Sequence, residues 1–324
     1  MRRSISRFGG ALGGLNLLAW AALLLWVAPR YPSLAGLGVL AYTFGLRHAF
    51  DADHISAIDN TVRKLLRGGR RRPVAVGLYF SLGHSTVVAL LALALALAVH
   101  AVQARIPSLQ GVGSVVGALV SGGFLYLIGF LNLAVLVGLV RAVRRGEVDA
   151  ELQTGGLMQR VLGRRFDLVR EEWHMYPVGF LFGLGFDTAS EVALLAVSAT
   201  AAARHVPLLA VMILPLLFAS GMCLMDTADG MFMSAAYVWA LASPGRRAFY
   251  NITVTALSVF VALAVGTVEL LQVLAGELRW TGAAWQALRS LSFETMGYWI
   301  VGLFVVTWAV AYLLWKRQPE PGGI

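Results

Sequence analysis

The chain has 324 residues, of which 58% are hydrophobic and only 13% charged, a balance unlike that of an ordinary soluble domain. Its net charge of +9 would suit a nucleic-acid binder, but 20 of the 26 Lys and Arg residues fall in segments assigned below to one side of a membrane. Composition therefore points to a bilayer and excludes nucleic acid as the partner that the charge serves. The single cysteine, Cys223, lies in an apolar run and forms no intramolecular disulfide, so it says nothing of redox compartment.

Stretches near the 20 residues that a bilayer requires predict eight spans, near 10–29, 36–62, 74–100, 112–141, 175–203, 206–242, 250–275 and 295–315. The first follows Arg2, Arg3 and Arg7; a cleaved leader is the alternative there, but its apolar run is longer than an ordinary leader core. With that end cytoplasmic, the basic residues at 63–72 and 141–170, Arg246, Arg247, Lys316 and Arg317 are cytoplasmic too. Both termini then lie inside, the positive-inside pattern is satisfied, and the loop 142–174 is the longest cytoplasmic connection.

The second span carries Gly45-Leu-Arg-His-Ala-Phe-Asp-Ala-Asp-His54 at its centre. A charged side chain at mid-bilayer costs roughly 2.5 to 3.5 kcal/mol on insertion scales, so Arg47, Asp51 and Asp53 must face protein or water. Such a concentration of charge marks a functional site, and two histidines beside carboxylates suggest a metal ion. On an ideal helix His48, Asp51 and His54 share an arc of about 120°, while Asp53 points about 100° from His54. Either Asp53 acts behind the ligands, or the helix unwinds near 47–53 as in the binding-site helices of many transporters.

The third span opens on Tyr79-Phe-Ser-Leu-Gly-His-Ser-Thr86 and adds a third imidazole, His84. In the fifth, Asp187, Ser190 and Glu191 share a helical face; in the sixth, Asp226 and Asp229 do so. Seven of the 17 acidic residues, these four together with Asp51, Asp53 and Asp59, fall in or beside apolar spans, which favours a cation pathway. The second and fifth spans also share Phe-Gly-Leu followed by Phe-Asp, from Phe44 to Asp51 and from Phe182 to Asp187. Three spans apart, they would have opposite orientations, as an inverted-topology repeat requires. Met222, Cys223, Met225, Met231 and Met233 read as packing, and His100, His174 and His205 as interfacial.

In these residues the chain resembles the nickel/cobalt transporter family, the NiCoT permeases. The family signature His-x4-Asp-His is matched by His48, Asp53 and His54, with Arg47 and Asp51 inside the matching stretch. Leu82-Gly-His-Ser-Thr-Val-Val88, Leu184-Gly-Phe-Asp-Thr-Ala-Ser-Glu191 and Gly221-Met-Cys-Leu-Met-Asp-Thr-Ala-Asp-Gly230 resemble further family motifs in family order. Ser190 stands where many relatives have threonine, and the hydroxyl is kept. The resemblance implies high-affinity uptake of Ni2+ or Co2+ through the cytoplasmic membrane of a prokaryote.

Ligand chemistry agrees, because imidazole suits Ni2+, Co2+, Cu2+ and Zn2+ whereas Mg2+ and Ca2+ prefer all-oxygen cages. His48, His54 and His84 are assigned as nitrogen ligands, with Asp53 or Asp51 as carboxylate ligand or histidine orienter. Arg47, Asp187, Glu191, Asp226 and Asp229 are assigned to the transport pathway or to locking helices together. No Gly-x4-Gly-Lys-Ser/Thr pattern exists for ATP, and the metal is a transported substrate rather than a resident cofactor. The alternatives are an efflux permease, because neither ligands nor topology fix direction, and a membrane metalloenzyme, against which stands the lack of a His-Glu-x-x-His pair. The expectation is thus one all-α membrane domain of about eight transmembrane helices.

Overall fold

A computed structural model describes residues 2–67, 73–97, 106–145, 169–184, 189–203, 206–240 and 244–316, and these form helices joined by short connections. The helices are α1 (Arg2–Ala21, continued by a π-helical Ala22–Val27), α2 (Ser33–His48), α3 (Ala52–Arg67), α4 (Val76–Leu97) and α5 (Ile106–Arg145). After a 3-10 turn at Glu172–His174 come α6 (Met175–Gly183), α7 (Ala189–Ala203), α8 (Leu208–Val211), α9 (Ile213–Ala240), α10 (Pro244–Glu277), α11 (Ala283–Arg289) and α12 (Phe293–Lys316). Most of the loop expected at 142–174, together with His100, Asp187 and His205, lies outside the described residues.

Among the described residues, five helical stretches are long and apolar enough to cross a membrane: Arg7–Val27, Val76–Leu97, Ser121–Arg141, Leu208–Val238 and Thr255–Glu277. Their outer faces keep large apolar side chains in the open, with Leu25 77%, Leu17 74% and Phe260 66% exposed. Water would penalise such a surface and lipid does not, so the molecule is a multi-pass membrane protein. The segment expected as the second span is instead two 16-residue helices, α2 and α3, and that expected as the fifth is α6 and α7.

The break after His48 is made without proline or glycine at the turn. Phe50 N–H donates to the Arg47 carbonyl and Asp51 N–H to that of His48, so short turns satisfy the backbone that leaves α2. Asp51 then occupies the cap position of α3, its carbonyl accepting from Ile55 N–H at 3.2 Å. Gly297 of α12 lies against the Phe50 carbonyl at this turn, a contact that leaves no room for a Cβ. The interruption at Met212 has a different cause: Pro215 lacks an N–H and its ring crowds the Val211 carbonyl, so α8 stops before α9 starts. Glu172 caps α4 by accepting from the N–H groups of Val74 and Ala75 at 3.2 and 3.1 Å.

Among the close crossings at the centre, two match each other. Where α2 meets α9, Gly45 lies on the Phe218 carbonyl and Gly221 on that of Tyr42; where α6 meets α4, Gly179 lies on the Phe80 carbonyl and Gly83 on that of Tyr176. Small residues permit this backbone approach, which in lipid must come from packing because burial there gains little. The two crossings are the same arrangement used twice. Tyr42 and Gly45 correspond to Tyr176 and Gly179, and Phe218 and Gly221 to Phe80 and Gly83. The repeated Phe-Gly-Leu letters are therefore one helical turn out of register with the residues that make equivalent contacts. Around this centre α5 and α10 pair with each other and cover α3, α12 packs on α3, and α1 packs on α9.

Candidate metal centre

The end of α2, the start of α3 and the middle of α4 bring His48, His54 and His84 together. Each offers a ring nitrogen, these lie within 4.8 Å of one another, and all three side chains are buried. His48 Nε2 and His84 Nε2 are 3.1 Å apart. Two nitrogens each about 2.0 to 2.1 Å from one ion would subtend about 100° at that spacing, which suits neighbouring ligands of one metal. The rings also pack edge to face, with centroids 4.6 Å apart for His48 and His54 and 4.9 Å for His48 and His84.

Carboxylates fix these rings from behind. Asp51 Oδ2 lies 2.7 Å from His48 Nδ1, leaving Nε2 to face the other imidazoles. Asp226 of α9 lies 3.2 Å from His54 Nδ1 and accepts from Ser81 Oγ at 2.6 Å. His54 Nε2 is buried and hydrogen-bonds to no described group, which in a folded protein signals a ligand to come, since such an atom otherwise costs about 1 to 3 kcal/mol. Carboxylate on one ring nitrogen and a free partner nitrogen on the other is the usual anatomy of a metal-binding histidine.

Glu191, in the first turn of α7, places Oε1 at 2.7 Å from His84 Nε2 and 3.7 Å from His48 Nε2. It therefore sits among the imidazoles. Asp53 is half-buried and within electrostatic reach of His48, His54, His84 and Asp51. Asp229 is half-buried, with Asp59 and Asp226 as its charged neighbours. Arg47, near the end of α2, is exposed.

The pairing of His54 with Asp226 and of Glu191 with His84 repeats the crossing pattern of the fold. His54 and Glu191 are each the third residue of their helix, and each reaches the long helix that crosses the helix just before it in the chain. Ser81 escaped sequence reading as a site residue, although its position three before His84 puts both on one helical face. So did a second polar cluster of Asn60, Arg63, Asn132, Tyr237 and Ser258 around Asp59, in which only the buried charge pattern of α3 offered a signal.

Residues 34–314 match the family model NicO, described as high-affinity nickel-transport protein. The chain is 51% identical over 319 residues to the nickel transporter NicT of Mycobacterium tuberculosis, covering 93% of this chain and 86% of that protein. It is 50% identical over 301 residues to the nickel transporter NixA of Staphylococcus aureus, covering 90% and 89%. With the cobalt transport protein NhlF of Rhodococcus rhodochrous it shares 42% identity over 332 residues, covering 98% and 94%. No solved structure matches the chain.

Proposed function

The chain belongs to the NicO family of high-affinity nickel-transport proteins, and from that premise we propose that it takes up Ni2+ and Co2+ through a site built on His48, His54 and His84. The carrying observation is the meeting of three buried imidazoles from two separate stretches of chain, with Asp51 and Asp226 orienting two of them. Nitrogen donors reject Mg2+ and Ca2+, which are abundant and hard, and accept borderline transition ions. Glu191 supplies a carboxylate oxygen close to two of the nitrogens, and Asp53 adds negative charge that offsets the dehydration of a dication.

The protein is a secondary permease and not an enzyme. A doubly charged ion entering an inside-negative cell gains roughly 4.6 kcal/mol per 100 mV, enough for more than a thousandfold accumulation without ATP. In this reading the chain makes eight crossings of the cytoplasmic membrane, two of them broken at the site, with both termini and the basic loops inside. The twin crossings α2 with α9 and α4 with α6 supply the rigid units that rock about the metal. Asp226 and Asp229 lie along the way out.

Cells expressing the wild type or His48→Ala are compared for radioactive Ni2+ and Co2+ uptake at nanomolar metal with excess Mg2+. Saturable uptake by the wild type, lost in the variant at equal membrane abundance, is expected. No uptake by a well-expressed wild type would sink the proposal.

A further inference from the structure

The second polar cluster lies further along α3 from the imidazoles. Arg63 is nine residues beyond His54, about 14 Å along a helix, and its side chain is buried. Its Nη2 donates to Asn60 Oδ1 at 2.9 Å and stands 3.8 Å from Asp59 Oδ2, while the guanidinium carbon lies 6.0 Å from the centre of the Tyr237 ring. Asp59 accepts from the Tyr237 hydroxyl and from Ser258 Oγ, and Asn132 Nδ2 donates to Asn60 Oδ1 at 2.7 Å. One cluster thus ties α3 to α5, α9 and α10.

Its position relative to the metal centre follows from two contacts. His54 of α3 meets Asp226 of α9, and five residues later in α3 Asp59 meets Tyr237 of α9. The two helices therefore advance together, away from the imidazoles and toward the end of α3 that leads into the arginines at 70–72. Asp226, Asp229, Met233 and Tyr237 lie on one face of α9, and Asp229 is electrostatically coupled to both Asp226 and Asp59. Carboxylates line the way as far as Asp59, where a guanidinium stands.

We propose that Asp59, Arg63 and Tyr237 form a latch that closes the route between the imidazole site and the basic end of the bundle, with Arg63 a tethered cation that a departing dication displaces from Asp59. This rests on the transport reading above. A fixed positive charge beyond the last carboxylate repels an ion that has not yet reached Asp59. It also neutralises Asp59 while no ion is there, which a buried carboxylate requires. The latch has no counterpart in the other half of the repeated arrangement, for the residues five and nine beyond Glu191 in α7 are Ala196 and Thr200. One end of a two-fold design is therefore held by charge and the other is not.

The test is the reactivity of Met233→Cys, made in a Cys223→Ala background, toward a charged membrane-impermeant thiol reagent added to inside-out membrane vesicles. With Arg63 present, slow reaction is expected; adding Arg63→Gln or Asp59→Asn should raise the rate at least tenfold, and Arg63→Lys should restore much of the protection. The native Cys223, buried on the same helix, serves as control in an otherwise wild-type Arg63→Gln protein and should stay unreactive. Unchanged reactivity of Met233→Cys would overturn the latch, as would general reactivity that includes Cys223. Nickel binding by the purified Arg63→Gln protein is expected to persist. Failure of the wild type to bind or take up nickel would overturn the transport reading, whereas unchanged labelling with nickel binding intact overturns the latch alone.

Discussion

Asp226 shows how much a residue that stands behind a ligand controls. Its Oδ2 holds His54 Nδ1 and is itself held by Ser81, so it selects the tautomer that leaves His54 Nε2 able to ligate. Asp226→Asn keeps the size but replaces an acceptor by an amide of uncertain direction at that nitrogen. A loss of about 10- to 100-fold in nickel affinity is expected, the range typical of groups that orient metal ligands. Equilibrium dialysis of the purified variant measures it, and unchanged affinity would remove Asp226 from the site. At the same scale, selectivity follows donor type. Millimolar Mg2+ should leave nickel uptake untouched, while Cu2+, favoured by every nitrogen site, should compete strongly.

For the helices, the question is what keeps α2 against α9 and α6 against α4. Replacing a glycine by alanine inside a helix gains about 0.8 to 1.0 kcal/mol from backbone propensity. At Gly45 the new Cβ would strike the Phe218 carbonyl, and overpacking of that kind costs about 1 to 3 kcal/mol. The crossing should win, so Gly45→Ala is expected to lower the midpoint of thermal unfolding in detergent. Gly36→Ala, in the same helix with nothing within 4 Å of the new atom, should be neutral or stabilising. Equal behaviour of the two would mean that close approach contributes nothing. The starts of α3 and α7 serve the same centre, since each sets an acidic first turn, Asp53 in one and Glu191 in the other, beside the imidazoles.

At the scale of the whole molecule, the proposed uptake of a dication without ATP draws on the potential across the membrane. A potassium diffusion potential of 100 mV, inside negative, imposed on proteoliposomes is worth roughly 4.6 kcal/mol for each divalent ion. Nickel accumulation should therefore rise steeply with that potential and fall when it is collapsed. Accumulation indifferent to potential would contradict uncoupled entry and turn attention to protons. The exposed apolar belt on α1 and α10 and the buried polar interior are the inverse of a water-soluble design.

The sequence by itself determined the medium and the family and singled out three candidate imidazoles, because hydropathy, the His48 to His54 spacing and the Gly83-His84 motif are local patterns legible in one strip of chain. It also left open whether the second span was continuous, since ideal helix geometry put Asp53 and His54 on different faces and nothing at 49–51 was a proline or glycine. Only the tertiary structure decided that the break falls there, that Asp51 turns back to His48, and that Glu191 and Asp226 arrive from helices more than a hundred residues away. Those are facts of contact between distant segments. Helix periodicity says which residues share a face, but the partner of that face is fixed by how closely the glycine crossings let the backbones approach.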